Sequence, residues 1–449
     1  MKSPTIVAAA SAPGQGAVAV LRLSGPKSLE ILAKGVRLDP KTIRLAPRRL
    51  RLARFYDAAG EVLDQVLVAY MPSPKSFTGE DMVEVHGHGG RAAVEALLAR
   101  LLDLGAEPAG AGEFTRRALE NGKLDLSQAE AVARMIEAGS RAELAGAVRV
   151  LEGELSQKLG SLQQAIEILL AEIEASLNFP EEPDLESLDL RSRRLEPLLA
   201  QAGALEQGLR RRVDSGAAEV VLAGPPNVGK SSIINKLSGK QVALVTSQAG
   251  TTRDAVSVEL ELGGRRLRLV DTAGRSKEMP AGEADRAAEV LALARAEQAD
   301  LVLWVDDAWL AAEDMEKQAW GETLLPLRNK ADLIDETQAE NLDAELRALG
   351  GLLVSALDGR GLDDLSDLLV RRLDDLLGPA DGLPLTTRQA LAMDKLMAAL
   401  RRAEKTLDHQ VELAAEDLRS AMDAMGELTG RKLEPDLLDR IFSSFCIGK

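Results

Sequence analysis

Residues Gly224-Pro-Pro-Asn-Val-Gly-Lys230-Ser231 set two glycines, a lysine and a hydroxyl at the spacing that wraps backbone N–H groups around phosphates. In such a loop the glycines allow close approach of the backbone, Lys230 reaches the β/γ oxygens, and Ser231 offers its hydroxyl to Mg²⁺. A strand-like run, Glu219 to Ala223, precedes it, and a helix-like run, Ser232 to Leu237, follows. Asp271-Thr-Ala-Gly274 closes a second apolar strand, Leu267 to Val270, where a carboxylate can hold the metal through its water shell. Asn329-Lys-Ala-Asp332 and Ser355-Ala356 come next, in order. A carboxylate at Asp332 accepts from the N1–H and 2-amino groups of guanine, donors that adenine does not offer. The loop alone recurs by chance in glycine-containing turns, but the ordered companions make GTP the expected ligand.

One part of the usual machinery is missing. In Ras-like GTPases a glutamine directly after Asp-Thr-Ala-Gly orients the attacking water, and here Arg275 holds that position. Three explanations stay open: a slow switch, an arginine finger in cis, or water positioned from elsewhere. Glu278, Glu283 and Asp285 are the nearby carboxylates, and each also suits a solvated surface.

These motifs need elements to position them. The first part of the chain reads as mixed α and β, with short β-branched runs at Thr5 to Ala9, Val18 to Leu23, Val62 to Met71 and Met82 to His86. From about Thr115 to Arg212 the texture is Ala/Leu/Glu, and Leu155, Leu159, Leu162, Ile166, Leu169 and Ile173 recur at helical steps. Asn178-Phe-Pro180 interrupts it. The nucleotide unit runs from about Ala217 to Leu376, and helical texture returns from Leu385 to Phe445. The expected fold is therefore an α/β P-loop GTPase domain inserted into an all-α helical domain, preceded by an α+β domain. The expected limits are 1–118, 119–212 with 377–449, and 213–376. Two independent helical units joined by linkers are the rival arrangement.

At 449 residues the chain has room for about three domains. Its net charge of −16 and 2% aromatic content argue against autonomous nucleic-acid binding, which needs clustered cations or stacking platforms. A partner is then expected to carry much of any RNA contact. The single cysteine, Cys446, permits no intrachain disulfide and fits a reducing compartment. The apolar run Ile6 to Ala10 is too short for a secretory signal, and no stretch is long enough to span a membrane, so a cytoplasmic location is expected.

Further motifs resemble the tRNA modification GTPase MnmE (TrmE) family over essentially the full length. They are Ser11-Ala-Pro-Gly-Gln-Gly-Ala-Val-Ala-Val-Leu-Arg22-Leu-Ser-Gly25, Ser76-Phe-Thr-Gly-Glu80-Asp81 with His88-Gly-Gly90, and Gly112-Glu-Phe-Thr-Arg-Arg117. Asn121-Gly-Lys123-Leu-Asp-Leu-Ser-Gln-Ala-Glu130, Asn178-Phe-Pro-Glu-Glu182 and Cys446-Ile-Gly-Lys449 complete the set. The phosphate loop is shared by many unrelated proteins; the Cys-Ile-Gly-Lys end combined with the N-terminal set is far more specific.

The resemblance implies a homodimer formed through the N-terminal domains, which bind folate, and a flavoprotein partner, MnmG, that holds FAD in a heterotetramer. Together they would place an aminomethyl or carboxymethylaminomethyl group on carbon 5 of the wobble uridine of certain tRNAs, with the one-carbon unit drawn from a reduced folate (5,10-methylene- or 5-formyl-tetrahydrofolate). Hydrolysis would need potassium and pairing of the GTPase domains. Carried onto this chain, GTP contacts fall on Asn227, Val228, Gly229, Lys230, Ser231 and Ser232, then on Thr246, Ser247, Gln248, Ala249, Gly250, Thr251 and Thr252. They continue on Asp271, Thr272, Ala273 and Gly274, and on Asn329, Lys330, Ala331, Asp332, Ser355, Ala356 and Leu357. Potassium would meet Asn227, Thr246, Gln248 (through its carbonyl) and Thr251; Mg²⁺ would meet Ser231 and Thr252. The folate positions are Arg22, Glu80, Lys123 and Lys449. An ungapped match makes Glu283 the water-orienting carboxylate, although Arg275-Ser276 and Arg286 depart from the family pattern around it.

Cys446 has three readings. Beside Phe442, Phe445 and Ile447 it suits a small buried apolar residue. Prenylation is disfavoured by Gly448, Lys449 and the lack of a polybasic stretch. The resemblance instead sets it near the folate pocket, where a thiolate would assist uridine chemistry. A GTP-dependent switch for ribosome or RNA-particle assembly is the competing function; it needs neither a folate pocket nor the cysteine.

Overall fold

The computed structural model describes residues 4–44, 46–178, 190–210, 217–225, 227–240, 257–271, 299–308, 323–431, 435–443 and 445–448. The chain divides into two compact units: Met1–Ile136, Arg149–Leu195 and Ala392–Lys449 form one, Glu137–Val148 and Glu196–Leu391 the other. The chain thus leaves the first unit and later returns to it, as insertion requires. The α/β nucleotide fold is inserted into a helical domain and follows an α+β domain.

In the first unit, strands β1 (Ile6–Ala9), β2 (Val18–Ser24), β3 (Arg51–Tyr56), β4 (Val62–Met71), β5 (Met82–His88) and β6 (Glu107–Pro108) make one sheet, in the order β3-β4-β5-β2-β1-β6. All neighbours are antiparallel except β1 and β6. Alternation along the strands decides the faces. Leu21 and Leu23 of β2 and Val83 and Val85 of β5 point into a core with Leu29, Ile31 and Leu32 of the helix Ser28–Val36, and with Leu97 and Leu101 of the helix Arg91–Asp103. The intervening residues, among them Arg22, Ser24, Glu84 and His86, face the other way by the same parity.

The expected helical run is present as Glu154–Asn178, and all its anticipated core residues, Leu155 to Ile173, are buried. It packs against the helix Val411–Thr429, which contributes Leu418, Ala421, Met425 and Leu428. One departure is a short strand inside the run expected to be helical: β7 (Leu209–Arg210) lies parallel to β14 (Leu383–Pro384). Gly208 N still closes the preceding helix, donating to Ala204 O at 3.2 Å and Leu205 O at 3.0 Å, while Gly208 O receives the N–H of Leu383 and draws the chain into the bridge.

The residues around the C-terminal motif pack on the first sheet. Ala111 and Ile447 form an antiparallel bridge, Gly112 N donates to Cys446 O at 3.4 Å, and Gly448 lies against the backbone of Ala9. Phe442 and Phe445 are buried with Ala129, while Cys446 itself is exposed. The buried-core reading of the cysteine is therefore overturned: the phenylalanines fill the core, and the extended backbone turns the thiol outward.

In the second unit, β8 (Ala218–Ala223), β9 (Ser257–Leu262), β10 (Arg265–Asp271), β11 (Leu301–Asp307), β12 (Leu324–Asn329) and β13 (Leu352–Leu353) form a sheet of order β13-β12-β11-β8-β10-β9. Its pairings are parallel apart from β9 with β10. Val220, Leu222, Leu269, Leu303 and Leu327 pack with Ile233 and Leu237 of the helix Lys230–Lys240 and with Leu365, Leu369 and Leu373 of the helix Leu362–Leu377. That helix core aligns the carboxyl ends of the parallel strands, where such sheets bind ligands.

Gly112 (φ +62°) leaves no room for a side chain: a Cβ there would stand 2.9 Å from Phe445 Cβ and 3.1 Å from Phe442 O. Gly112→Ala is therefore expected to weaken tail docking by about 1–3 kcal/mol. Carboxypeptidase should then trim the last residues faster than in the wild type, with mass spectrometry as the readout; equal trimming rates would contradict this packing.

Candidate functional site

The nucleotide site is built where β8 ends. Gly224 (φ +134°) abuts the carbonyl of Val305 on neighbouring β11, so even a methyl group is excluded there. Gly229 (φ +96°) lies directly under the side-chain amide of Asn329. Lys230 begins the following helix and is buried, with Nζ donating to Gly224 O at 2.8 Å and Pro225 O at 2.7 Å. Burial pushes its ammonium below the usual lysine range, opposed by the charges of Asp271 and Asp306. Its side chain folds back over the loop.

Ser231 Oγ donates to Asp271 Oδ2, which joins the first turn of the helix to the end of β10. A hydroxyl and a carboxylate brought together in this way are the hard oxygen donors that suit Mg²⁺. Ser232 is exposed on the same turn, Asn227 (φ +65°) is exposed in the loop, and Val228 is buried beneath it.

The residues expected to recognise the base are tied to the phosphate loop. Asn329 Nδ2 donates to Val228 O at 2.7 Å, and Asn329 Oδ1 accepts from Ala356 N at 3.0 Å. Lys330 takes a left-handed conformation (φ +69°) that turns the chain into the short 3-10 helix Ala331–Leu333, and its Nζ meets Asp307 Oδ1 at 2.8 Å. Asp332 Oδ1 accepts from Ser355 Oγ at 2.7 Å. Leu357 is exposed beside them. All the anticipated residues of this half come together. Thr246, Ser247, Gln248, Ala249, Gly250, Thr251, Thr252, Thr272, Ala273, Gly274 and Glu283 lie outside the described residues, as do Arg275, Glu278 and Asp285.

A second cluster forms on the N-terminal sheet. Glu80 Oε2 accepts from Ser24 Oγ at 2.7 Å and from Arg117 Nη1 at 2.9 Å, and Oε1 has no protein partner among the described residues. Arg117 is buried and is fixed in turn by Pro4 O and Glu113. Arg22 stands two residues before Ser24 on the same face of β2 and lies 5.9 Å from the ring centres of both Phe77 and Phe114. The stem of Lys123 runs along Gly79, where a Cβ would be 3.2 Å from Lys123 Cγ. The anticipated Arg22, Glu80 and Lys123 thus gather around the turn before β5. Arg117, which holds Glu80, was quoted only as part of a motif; a buried arginine in a short amphipathic helix was the available signal. Lys449 lies outside the described residues.

Asp332 accepts one hydrogen bond from Ser355, and its carboxylate is the group the sequence motif expects to meet guanine. Asp332→Asn is expected to shift binding from guanosine to xanthosine triphosphate, because an amide donates to the 2-oxo group that replaces the 2-amino group. Competition binding with the two nucleotides measures this, and undiminished GTP affinity in the variant would refute the role.

Comparison with known proteins follows the same division. Residues 5–123 match the family described as the GTP-binding protein TrmE N-terminus, and residues 126–446 match the MnmE helical domain. The tRNA modification GTPase MnmE of Rhodospirillum rubrum is 40% identical over 467 residues, covering 100% of this chain and 100% of that protein. Its namesake in Psychrobacter arcticus is 38% identical over 478 residues, covering 99% and 96%. A crystal structure of Era in complex with MgGDPNP and a segment of 16S ribosomal RNA shares 25% identity over 41% of this chain and 67% of that one, at a TM-score of 0.28. The full-length relatives decide the assignment: the chain belongs to the MnmE family of tRNA modification GTPases.

Proposed function

We propose that this chain is the GTP-hydrolysing component of a complex that installs an aminomethyl or carboxymethylaminomethyl group on carbon 5 of the wobble uridine of certain tRNAs. The observation that carries the reading is the coexistence of two constellations in one chain. One is the guanine-nucleotide site; the other is the cluster of opposed charges at Arg22, Glu80 and Lys123. An assembly switch without substrate chemistry needs only the first.

In this reading residues 1–118 dimerise and bind a reduced folate, 119–212 with 377–449 form the helical domain, and 213–376 hydrolyse GTP. The folate cluster has the right chemistry. The unengaged Oε1 of Glu80 can accept from the amino and N3–H groups of a pterin, and Arg22 and Lys123 can meet carboxylates of the glutamate tail, joined in the proposal by Lys449. Self-association is supported by the sheet face opposite the helices. Cross-strand register aligns Leu52, Leu67 and His86 there, with Leu52 61% and Leu67 40% exposed. A second copy would cover this apolar row. The net charge of −16 favours a partner, the flavoprotein MnmG with its FAD, to carry much of the tRNA contact.

At the nucleotide, Lys230 and the loop amides bind the phosphates, Ser231 with Thr252 would hold Mg²⁺, and Asp271 would steady its water shell. Potassium would sit at Asn227 with Thr246, Gln248 and Thr251, and Glu283 would orient the water. When bound, the two cations would offset charge developing on the phosphate oxygens, and the folate would supply the one-carbon unit. No described helix is long and apolar enough to cross a membrane; a cytoplasmic location is part of the proposal.

Hydrolysis is expected to run faster in potassium than in sodium at equal ionic strength, since the cation would take a role that in an arginine finger is worth up to ~10³–10⁵ in rate. Phosphate release measured in the two salts tests this, and equal rates would transfer the role to Arg275. Cys446 is exposed on a docked tail, so Cys446→Ser should leave folding and GTP hydrolysis intact but abolish uridine modification. Nucleoside mass spectrometry of tRNA from a strain carrying only that variant gives the answer. Normal modification would exclude a chemical role for the thiol.

A further inference from the structure

We infer that Glu84 is the positioning residue of the N-terminal charged pocket: it fixes the Arg22 guanidinium in one orientation and acts on the ligand only through it. The inference rests on the reading of Arg22, Glu80 and Lys123 as a folate site, and adds a residue that neither the motifs nor the family positions included.

The geometry is specific. Arg22 and Glu84 are directly opposed in the β2–β5 ladder, so the backbone register alone brings their side chains to one face. Both Nε (3.1 Å) and Nη2 (2.9 Å) of Arg22 donate to the same oxygen, Glu84 Oε1. The guanidinium carbon lies over the rings of both Phe77 and Phe114, 5.9 Å from each centroid. With one edge held by the carboxylate, Nη1 is left without a protein partner among the described residues. That edge is a preset fork for a carboxylate. The second oxygen, Oε2, lies 3.3 Å from His86 Nε2.

An exposed arginine–glutamate pair would signify little, since two long side chains in water gain almost nothing by meeting. Here the two side chains are only 22% and 20% exposed, and a partly buried pair of this kind is no more stabilising than apolar side chains of equal volume. What the pair provides is direction. The same device appears on the other side of the pocket, where Arg117 holds Glu80 and leaves Oε1 unengaged. Two ligand-facing charges of opposite sign are each held by a partner of opposite sign set further back. This arrangement orders the groups before the ligand arrives, and so lowers the entropy lost on binding.

A double-mutant cycle on the full-length chain tests the inference, with 5-formyltetrahydrofolate titrated calorimetrically into wild type, Arg22→Met, Glu84→Gln and the double variant. Glu84→Gln keeps shape and loses charge, and is expected to weaken binding about tenfold while thermal midpoint and GTP hydrolysis stay at wild-type values. Arg22→Met should weaken it at least as much, and the double variant should be no weaker than Arg22→Met alone. Losses that multiply in the double variant would mean that Glu84 acts independently of Arg22, and would overturn the inference. Wild-type affinity in Glu84→Gln would overturn it too. A wild-type chain that takes up no folate is a separate result, and would remove the folate reading along with this one. If Glu84→Gln lowers the thermal midpoint, Glu84→Asp carries the comparison: restored stability with affinity still reduced supports positioning, and restoration of both overturns it.

Discussion

The amide of Asn329 joins three separate stretches of chain. Its Nδ2 donates to Val228 in the phosphate loop, its Oδ1 accepts from Ala356 in the loop after β13, and its body rests on Gly229. The residue is buried, so each of these polar atoms must find a partner or cost the unit stability. An amide offers a donor and an acceptor on one carbon, in one plane. That requirement explains why Gly229 has no side chain and why the backbone of Ala356, rather than its methyl group, enters the site. The phosphate loop and the Asn329–Asp332 turn are thereby tied to each other at the ends of parallel strands, β8 and β12 flanking β11 and β13 lying beside β12.

The N-terminal domain solves a different problem with strand parity. One face of its sheet is given to the helices and is almost wholly aliphatic; the other carries Arg22, Ser24, Glu84 and His86. A shift of one residue in register would exchange the two sets and bury the charges. The hydrophobic core therefore does more than stabilise the sheet. It fixes which side the charges occupy, and cross-strand pairing then fixes their neighbours.

Much of this was legible in the sequence, for reasons that differ by residue. The phosphate loop and Asn329-Lys-Ala-Asp332 are local patterns whose geometry follows from a few backbone torsions, and the structure assembles them as anticipated. The core of Glu154–Asn178 was readable because a helix states its buried face in its own spacing. β3 was not noticed: Arg51, Arg54 and the exposed Leu52 blur the alternation of an edge strand. β7 escaped because two residues held by Leu383 and Pro384 have no local signal at all. The same limit hides Glu84 and Arg117. Each works by meeting a residue distant in the chain, and charge pairing across a sheet leaves no spacing to read. Cys446 was open to opposite interpretations because burial of Phe442 and Phe445 depends on where the backbone turns between them.

The bridge between Ala111 and Ile447 closes a loop that contains the entire inserted GTPase unit. Contacts so distant in sequence are entropically costly and form late. During synthesis the first sheet can complete its own ladder long before Ile447 exists, so this segment arrives only after the nucleotide unit. A chain interrupted anywhere within the nucleotide unit would carry a folded N-terminal sheet without its thiol. Possession of the thiol at that sheet thus certifies that the nucleotide-hydrolysing unit has already been translated, because the chain reaches Cys446 only after passing through it.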